Sequence, residues 1–221
     1  RRAQSGLQLH AALAGKARDG AAASKGAVRD LPPVGVRIPP ELLARLDAIV
    51  ERRSRAIVAM GGGFFEGGNT TPAAEFNIYV DPHAARAVFD ADIPMTLLPL
   101  DCTHQALSTS ARIERFRALK NRPGPAIAAM LSFSERFDEQ KYGTDGGPLH
   151  DPCVMAWLLK PELFQSREVN VEIECETELT VGMTVVDWWR VTSRKPNATV
   201  CRSINAEGFF DLLIERISRL A

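Results

Sequence analysis

The sequence predicts an α/β fold, an open, mostly parallel sheet flanked by helices. Three observations carry this. Short continuous apolar runs at 56–60 and 94–100 have the length and continuity of strands buried on both faces. Each run ends in a loop-forming stretch, Gly61-Gly62-Gly63 after the first and Asp101-Cys102-Thr103-His104 after the second. Helical patterns follow each, and strands that alternate with helices form parallel sheets. In such sheets ligands bind beyond the C-terminal strand ends, which is where both loops fall.

The elements follow in order. Residues 1–35 carry Gly, Ala, Ser and Lys without a strong apolar period and are expected to be poorly ordered, with a weak helix at 6–14. Pro32-Pro33 and Pro39-Pro40 lead into a helix at 40–53, with Leu42, Leu43, Leu46, Ile49 and Val50 on one face. Asp81 and Pro82 are placed to cap and open a helix whose apolar stripe is Ala84, Ala85, Val88 and Phe89. Helices are expected at 109–119, 124–141 and 149–159, the last entered through His150-Asp151-Pro152. Alternating Val and Ile with Asn and Glu over 169–179 predicts a half-exposed strand. Strands at 184–188 and 198–204 and a helix at 205–220 complete the chain.

The 221 residues suffice for one sizeable domain, and 45% hydrophobic with 24% charged is a globular composition. Net charge is zero but uneven: residues 1–55 hold 11 Lys/Arg against 5 Asp/Glu, and the rest hold 16 against 22. The basic part lacks interleaved aromatics, which argues against a nucleic-acid partner. No apolar run approaches the roughly 20 residues needed to span a bilayer, so no membrane partner is expected. The four cysteines form no CxxC pair, which argues against a zinc site or disulfide framework and suits a reducing, cytoplasmic setting. The Arg- and Ala-rich opening without an initiator Met reads as a fragment boundary rather than a transit peptide.

The chemistry concentrates in two segments. In MGGGFFEGGNTTPAAEFNIYVDP (60–82), glycines allow close backbone approach, and Asn69, Glu75 and Asn77 place two amides and a carboxylate within nine residues. A sugar-like ligand needs that mixture of donors and acceptors, with Phe65 and Phe76 as apolar walls. Spacing alone favours a plainer reading, a tight turn held by Asn and Gly with Glu75 in solvent. In PLHDP (148–152), Asp151 before a proline suits an N-cap and His150 a surface position. A metal ligand and a general acid are the alternative. His104 has a site-like location at a strand end, while His10 and His83 do not. Trp188 and Trp189 suit core or surface packing at least as well as stacking on a ligand.

Taken together, IVAMGGGFFEGGNTTPAAEFNIYVDP (57–82), LDCTHQ (100–105), PLHDP (148–152) and GMTVVD (182–187) resemble the inosine/uridine-preferring nucleoside hydrolase family. The resemblance covers about three quarters of the chain and reverses both plain readings. It implies that Asn69, Glu75 and Asn77 grip the ribose hydroxyls and that Met60 and Phe76 wall the sugar. Asp151 would ligate calcium and touch ribose, His150 would protonate the departing base, and Tyr142 would face a pyrimidine base. The implied reaction is hydrolysis of an N-glycosidic bond by calcium-bound water, and the implied assembly a homo-oligomer, dimer or tetramer.

The chain departs from that family's pattern in one respect. Members open with DxDxxxDD, which supplies most calcium ligands and the carboxylate that activates water. Here residues 1–56 hold only Asp19, Asp30 and Asp47, widely spaced. Residues 36–221 are therefore expected to form a truncated domain lacking the N-terminal strands. Such a chain is expected to hold calcium weakly, to turn over slowly and to expose an apolar sheet edge. A non-catalytic remnant that binds nucleoside, ribose or a partner chain is the alternative.

Overall fold

The computed structural model describes residues 56–143 and 145–221, the backbone alone over 135–142. The expectations for 1–35, 6–14 and 40–53 lie outside the described residues. Strand β1 is Ile57–Met60. Two helices follow, α1 (Phe76–Val80) and α2 (Pro82–Phe89), then β2 (Met95–Leu98) and a single helical turn, α3 (Leu100–Thr103). A two-residue strand β3 (Leu107–Ser108) precedes α4 (Ser110–Arg117) and the long α5 (Pro123–Tyr142). Next come β4 (Gly147–Pro148), α6 (Pro152–Leu159) and a 3-10 turn at Pro161–Leu163. Strands β5 (Phe164–Val169), β6 (Val171–Ile173), β7 (Thr184–Val186) and β8 (Ala198–Ile204) lead into α7 (Ala206–Ser218).

The main sheet has the order β1-β2-β8-β5 and is mixed but mostly parallel, as predicted. The amide of Ile57 donates to the carbonyl of Pro94 at 2.8 Å, so β1 and β2 start together and run in the same sense. The β5–β8 pair runs the other way. Asn197 N bonds Val169 O at one end and Asn205 N bonds Leu163 O at the other. Residues 169–179, expected to be one strand, are divided. β5 ends at Val169, β6 starts at Val171, and β6 pairs antiparallel with β7 in a separate hairpin. The turn after β6 is set by Glu174, whose carboxylate accepts from the backbone of Glu176 and Thr177. Those same bonds hold its carboxyl below the usual range.

The chain divides into two compact units, one of the described residues up to Leu97 with Glu168–Thr199, the other Leu98–Arg167 with Val200–Ala221. In the first, α2 packs on β6, burying Ala84, Ala87 and Phe89 with Val171 and Ile173. Asp81 caps α2 as its sequence predicts, accepting from Ala84 N at 2.9 Å. Arg86 ties the helix to the hairpin by donating from Nε and Nη2 to the carbonyl of Ile173. In the second unit, α4, α5 and α7 pack together around Ile113, Phe116, Phe209 and Phe210. The ring of Phe210 meets Phe116 edge-on at 6.3 Å and carries the Arg112 guanidinium at 4.6 Å.

Asn197 does the work of a missing strand neighbour. Its Oδ1 accepts from Val171 N at 2.8 Å, and its Nδ2 donates to Val171 O at 2.9 Å and Phe89 O at 3.4 Å. Truncation leaves these backbone groups unpaired in a half-buried place. Asn197→Ala should cost about 2 kcal/mol, read as a lower urea midpoint at unchanged m-value.

Candidate functional site

In the first unit the site residues form one network around Glu75. The side chain is 2% exposed, so the reading that left it in solvent is corrected. Its Oε2 accepts from Gly62 N at 2.9 Å and Ile78 N at 3.3 Å, and its Oε1 accepts from Asn77 N at 2.9 Å. Glu75 is thereby the N-cap of α1, a helix unforeseen within the 60–82 loop. Asn69 adds a second bond to that helix end, its Oδ1 accepting from Phe76 N at 2.9 Å. Asn77 Nδ2 donates back toward Met60, 3.5 Å from its carbonyl and 3.3 Å from its sulfur. Met60, Asn69, Glu75, Phe76 and Asn77 are thus brought together, joined by Gly62.

A carboxylate offers about four acceptor positions. Three are taken by backbone N–H groups, which leaves Oε1 one position for a ligand hydroxyl. Asn77 is exposed and Asn69 half-buried, so their amides remain within reach of solvent. Phe76 and Phe65 are 57% and 54% exposed, an apolar pair on the open side. Trp188 is buried and packs on Phe64 at 5.5 Å between ring centroids, which decides for packing over base stacking. Trp189 is exposed.

Gly62 is the hinge of this network. Its φ of +72° lies in the left-handed region, and a Cβ there would sit 2.5 Å from Thr184 Oγ1. Thr184 reaches this position because the β6–β7 hairpin is bridged to the loop through Ala74 and Met183.

In the second unit, the LDCTHQ and PLHDP segments are laid side by side by backbone pairing. Leu107 and Ser108 face Pro148 and Gly147, and Leu149 N donates to Ala106 O at 3.0 Å. Gln105 ties the first segment to β8, its side chain bonding Asp101 O, Arg202 O and Ile204 N. The result is a 2.8 Å hydrogen bond between Thr103 Oγ1 and His150 Nδ1, with the His104 ring 5.6 Å from the His150 ring. His150 is half-buried and Asp151 exposed. Asp151 occupies the N-cap place of α6 but has helical angles and makes no side-chain cap bond, so its carboxylate is uncommitted. This overturns the N-cap reading of Asp151. Tyr142 closes α5, and its side chain lies outside the described set. Thr103, the partner of His150, was passed over in the sequence; its only signal was its place beside His104 at a strand end.

Beneath these residues lie three buried, free thiols, Cys102, Cys153 and Cys201. Burial pushes the Cys102 thiol up to about 12, with the Asp101 charge adding to it. Burial raises Cys153 and Cys201 further, and the neighbouring thiols reinforce both. None is a ready nucleophile or metal ligand. Among the described residues no three His, Cys, Asp or Glu side chains gather to hold a metal. Asp151 is one donor where calcium takes roughly 6–8 oxygens, so the described residues do not fit a calcium site by themselves. No helix among them is long and apolar enough to cross a membrane.

Fold and site together define an α/β protein with a buried carboxylate and two amides ordered around one helix start. A model of the inosine-uridine preferring nucleoside hydrolase family matches residues 41–211. The chain is 52% identical over 171 residues to an uncharacterized protein of Schizosaccharomyces pombe, covering 77% of this chain and 55% of that one. It is 51% identical over 166 residues to the pyrimidine-specific ribonucleoside hydrolase RihA of Salmonella gallinarum, covering 75% and 53%. Among solved structures it resembles a purine-preferring ribonucleoside hydrolase from Gardnerella vaginalis, with a TM-score of 0.67 and 28% identity over 81% of this chain and 58% of that one. The chain belongs to the inosine-uridine preferring nucleoside hydrolase family. It spans about half the length of the curated relatives it matches.

Two outcomes follow. Gly62→Ala should destabilise the protein by more than about 1 kcal/mol and detach Gly62 N from Glu75, read by thermal melting and by amide exchange at Gly62 in the parent. The thiols set an alkaline limit. Folded, they keep their protons well above the ordinary thiol value of about 8.5, whereas the unfolded chain releases them. Their contribution is therefore complete below about pH 8 and lost as pH rises through the folded values. Urea unfolding at pH 7 to 10 should show falling stability. Iodoacetamide at pH 8 should leave all three unlabelled until the protein unfolds, and fast native labelling would refute it.

Proposed function

We propose that this protein serves ribonucleoside hydrolysis, the cleavage of the N-glycosidic bond to ribose and free base. The observation that carries the reading is the Glu75 network, an ordered carboxylate–diamide group in a chain of the nucleoside hydrolase family. In this reading Asn69, Glu75 and Asn77 hold the ribose hydroxyls, the carboxylate accepting and the amides donating and accepting. Met60 and Phe76 bound the sugar ring, and Asp151 adds an oxygen acceptor for ribose. Such contacts favour the reaction when they strengthen as the sugar gains oxocarbenium character. His150 serves the leaving base as a hydrogen donor. The 51% identity to a pyrimidine-specific enzyme supports pyrimidine ribonucleosides as substrates.

Among the described residues Asp151 is the one offered to calcium, a single donor where such a site takes roughly 6–8 oxygens. That observation favours a second reading, binding of nucleoside or ribose without turnover. The four free cysteines support a reducing, cytoplasmic setting. Exposed Met130, Phe133, Met155 and Leu158 support self-association as a dimer or tetramer.

Calorimetry with ribose and uridine, with and without calcium, tests the core of this reading. Binding should be measurable and should weaken about tenfold or more in Asn77→Ala, the loss of a hydrogen bond of about 1.4 kcal/mol or greater. Reducing-sugar release from uridine, cytidine and inosine then separates the two readings. Turnover supports hydrolysis, binding without turnover supports the second reading, and no binding of any of these ligands defeats both.

A further inference from the structure

We propose that Thr103 is a positioning residue that fixes His150 as the tautomer with a bare Nδ1 and a proton on Nε2. Thr103 is fully buried, at 0% exposure. Among the described residues its hydroxyl has one hydrogen-bond partner, His150 Nδ1 at 2.8 Å. The two possible directions of that bond are not equivalent. If the hydroxyl donates, its proton meets the lone pair of Nδ1 and every polar atom of the contact is satisfied. If Nδ1–H donates instead, the hydroxyl proton is left in a dry interior without an acceptor, and a buried polar hydrogen in that state loses its hydration for nothing. The first direction therefore wins, and Nε2–H is left as the ring's donor.

The surroundings hold the bond in place. Thr103 ends α3, with its amide donating to Pro99 O at 3.0 Å, and α3 is tied to β8 through Gln105. His150 sits on a segment hydrogen-bonded to Ala106 and followed directly by α6. The His104 ring, inclined at 54°, lies against the His150 ring. Both ends of the bond thus belong to fixed backbone, and the hydroxyl rotor is the one freely adjustable part. A residue that holds the far nitrogen in this way sets both the orientation of the imidazole and which nitrogen presents a hydrogen. The catalytic meaning of the arrangement rests on the nucleoside hydrolysis reading, in which the donor must face the base.

Nitrogen-15 NMR of the whole chain, recorded at a pH well above the ordinary histidine value of about 6.5, tests the tautomer without any turnover. His150 should show an unprotonated, hydrogen-bonded Nδ1 and a protonated Nε2 in the parent protein. Thr103→Ser should keep that signature and Thr103→Val should lose it, giving a mixture of tautomers. A protonated Nδ1 in the parent, or an unchanged signature in Thr103→Val, overturns the proposal. If the chain turns over uridine, Thr103→Val should lower kcat about tenfold or more with little change in KM, and Thr103→Ser should restore it. Failure of turnover in the parent counts against hydrolysis alone and leaves the tautomer result standing.

Discussion

The burial of one carboxylate organises the segment from Met60 to Val80. Glu75 is almost wholly removed from water, and a charge so placed is tolerated only when hydrogen bonds replace its hydration. Three backbone N–H groups supply them, and each imposes a condition on its own stretch of chain. The bond from Gly62 requires the chain to turn sharply after β1 through a left-handed residue, hence glycine. The bonds from Asn77 and Ile78 require a helix to start directly after Glu75, hence α1. A five-residue helix has no independent stability; it exists because its exposed N–H groups are needed by, and satisfied by, Glu75 and Asn69. Asn77 is then carried to Met60 as a by-product of helix geometry. These side chains are held in place by the fold itself, and groups ordered before a ligand arrives lower the entropy cost of binding.

The second unit meets a different requirement by other means. A histidine that must offer a hydrogen cannot be anchored by charge without changing its proton count, and Thr103 anchors it with a neutral hydroxyl. The thiols beneath follow the same logic. Cys102 and Cys153 flank the working residues and contribute volume without charge, because burial keeps them protonated. These buried thiols pack as small apolar groups beside the Thr103–His150 bond.

How much of this was legible in the sequence depended on whether local or distant contacts decide the residue. The β8 strand reads directly as Ala198–Ile204 because its apolar residues, Ala198, Val200, Cys201 and Ile204, are the buried ones. Asn69, Glu75, Asn77 and His150 were legible as a pattern, though not the burial of Glu75, which depends on Gly62 thirteen residues away. α1 was hidden because Phe76, Tyr79 and Val80 are exposed and give no amphipathic period. The division of 169–179 was hidden because Asn170 continues the alternation in sequence, while Asn197, a distant residue, fixes where β6 begins. The β3–β4 pair, two residues per strand, is too short to leave any pattern at all.

The chain contains a comparison that separates a capping carboxylate from an uncommitted one. It has two Asp-Pro dipeptides that open helices, Asp81-Pro82 and Asp151-Pro152, and sequence reasoning treats them alike. Asp81 has non-helical angles, φ −151° and ψ 82°, and its side chain caps α2. Asp151 has φ −64° and ψ −36°, a region disfavoured before proline, and caps nothing. Its backbone is drawn into the helical region because the turn begins one residue earlier, with Cys153 N donating to His150 O. An N-cap side chain reaches its helix only from non-helical angles, so that earlier start is what releases the Asp151 carboxylate. The local cost is an unfavourable pre-proline conformation and a forfeited cap. The same turn therefore positions His150 and frees Asp151, which couples the two groups through one backbone choice.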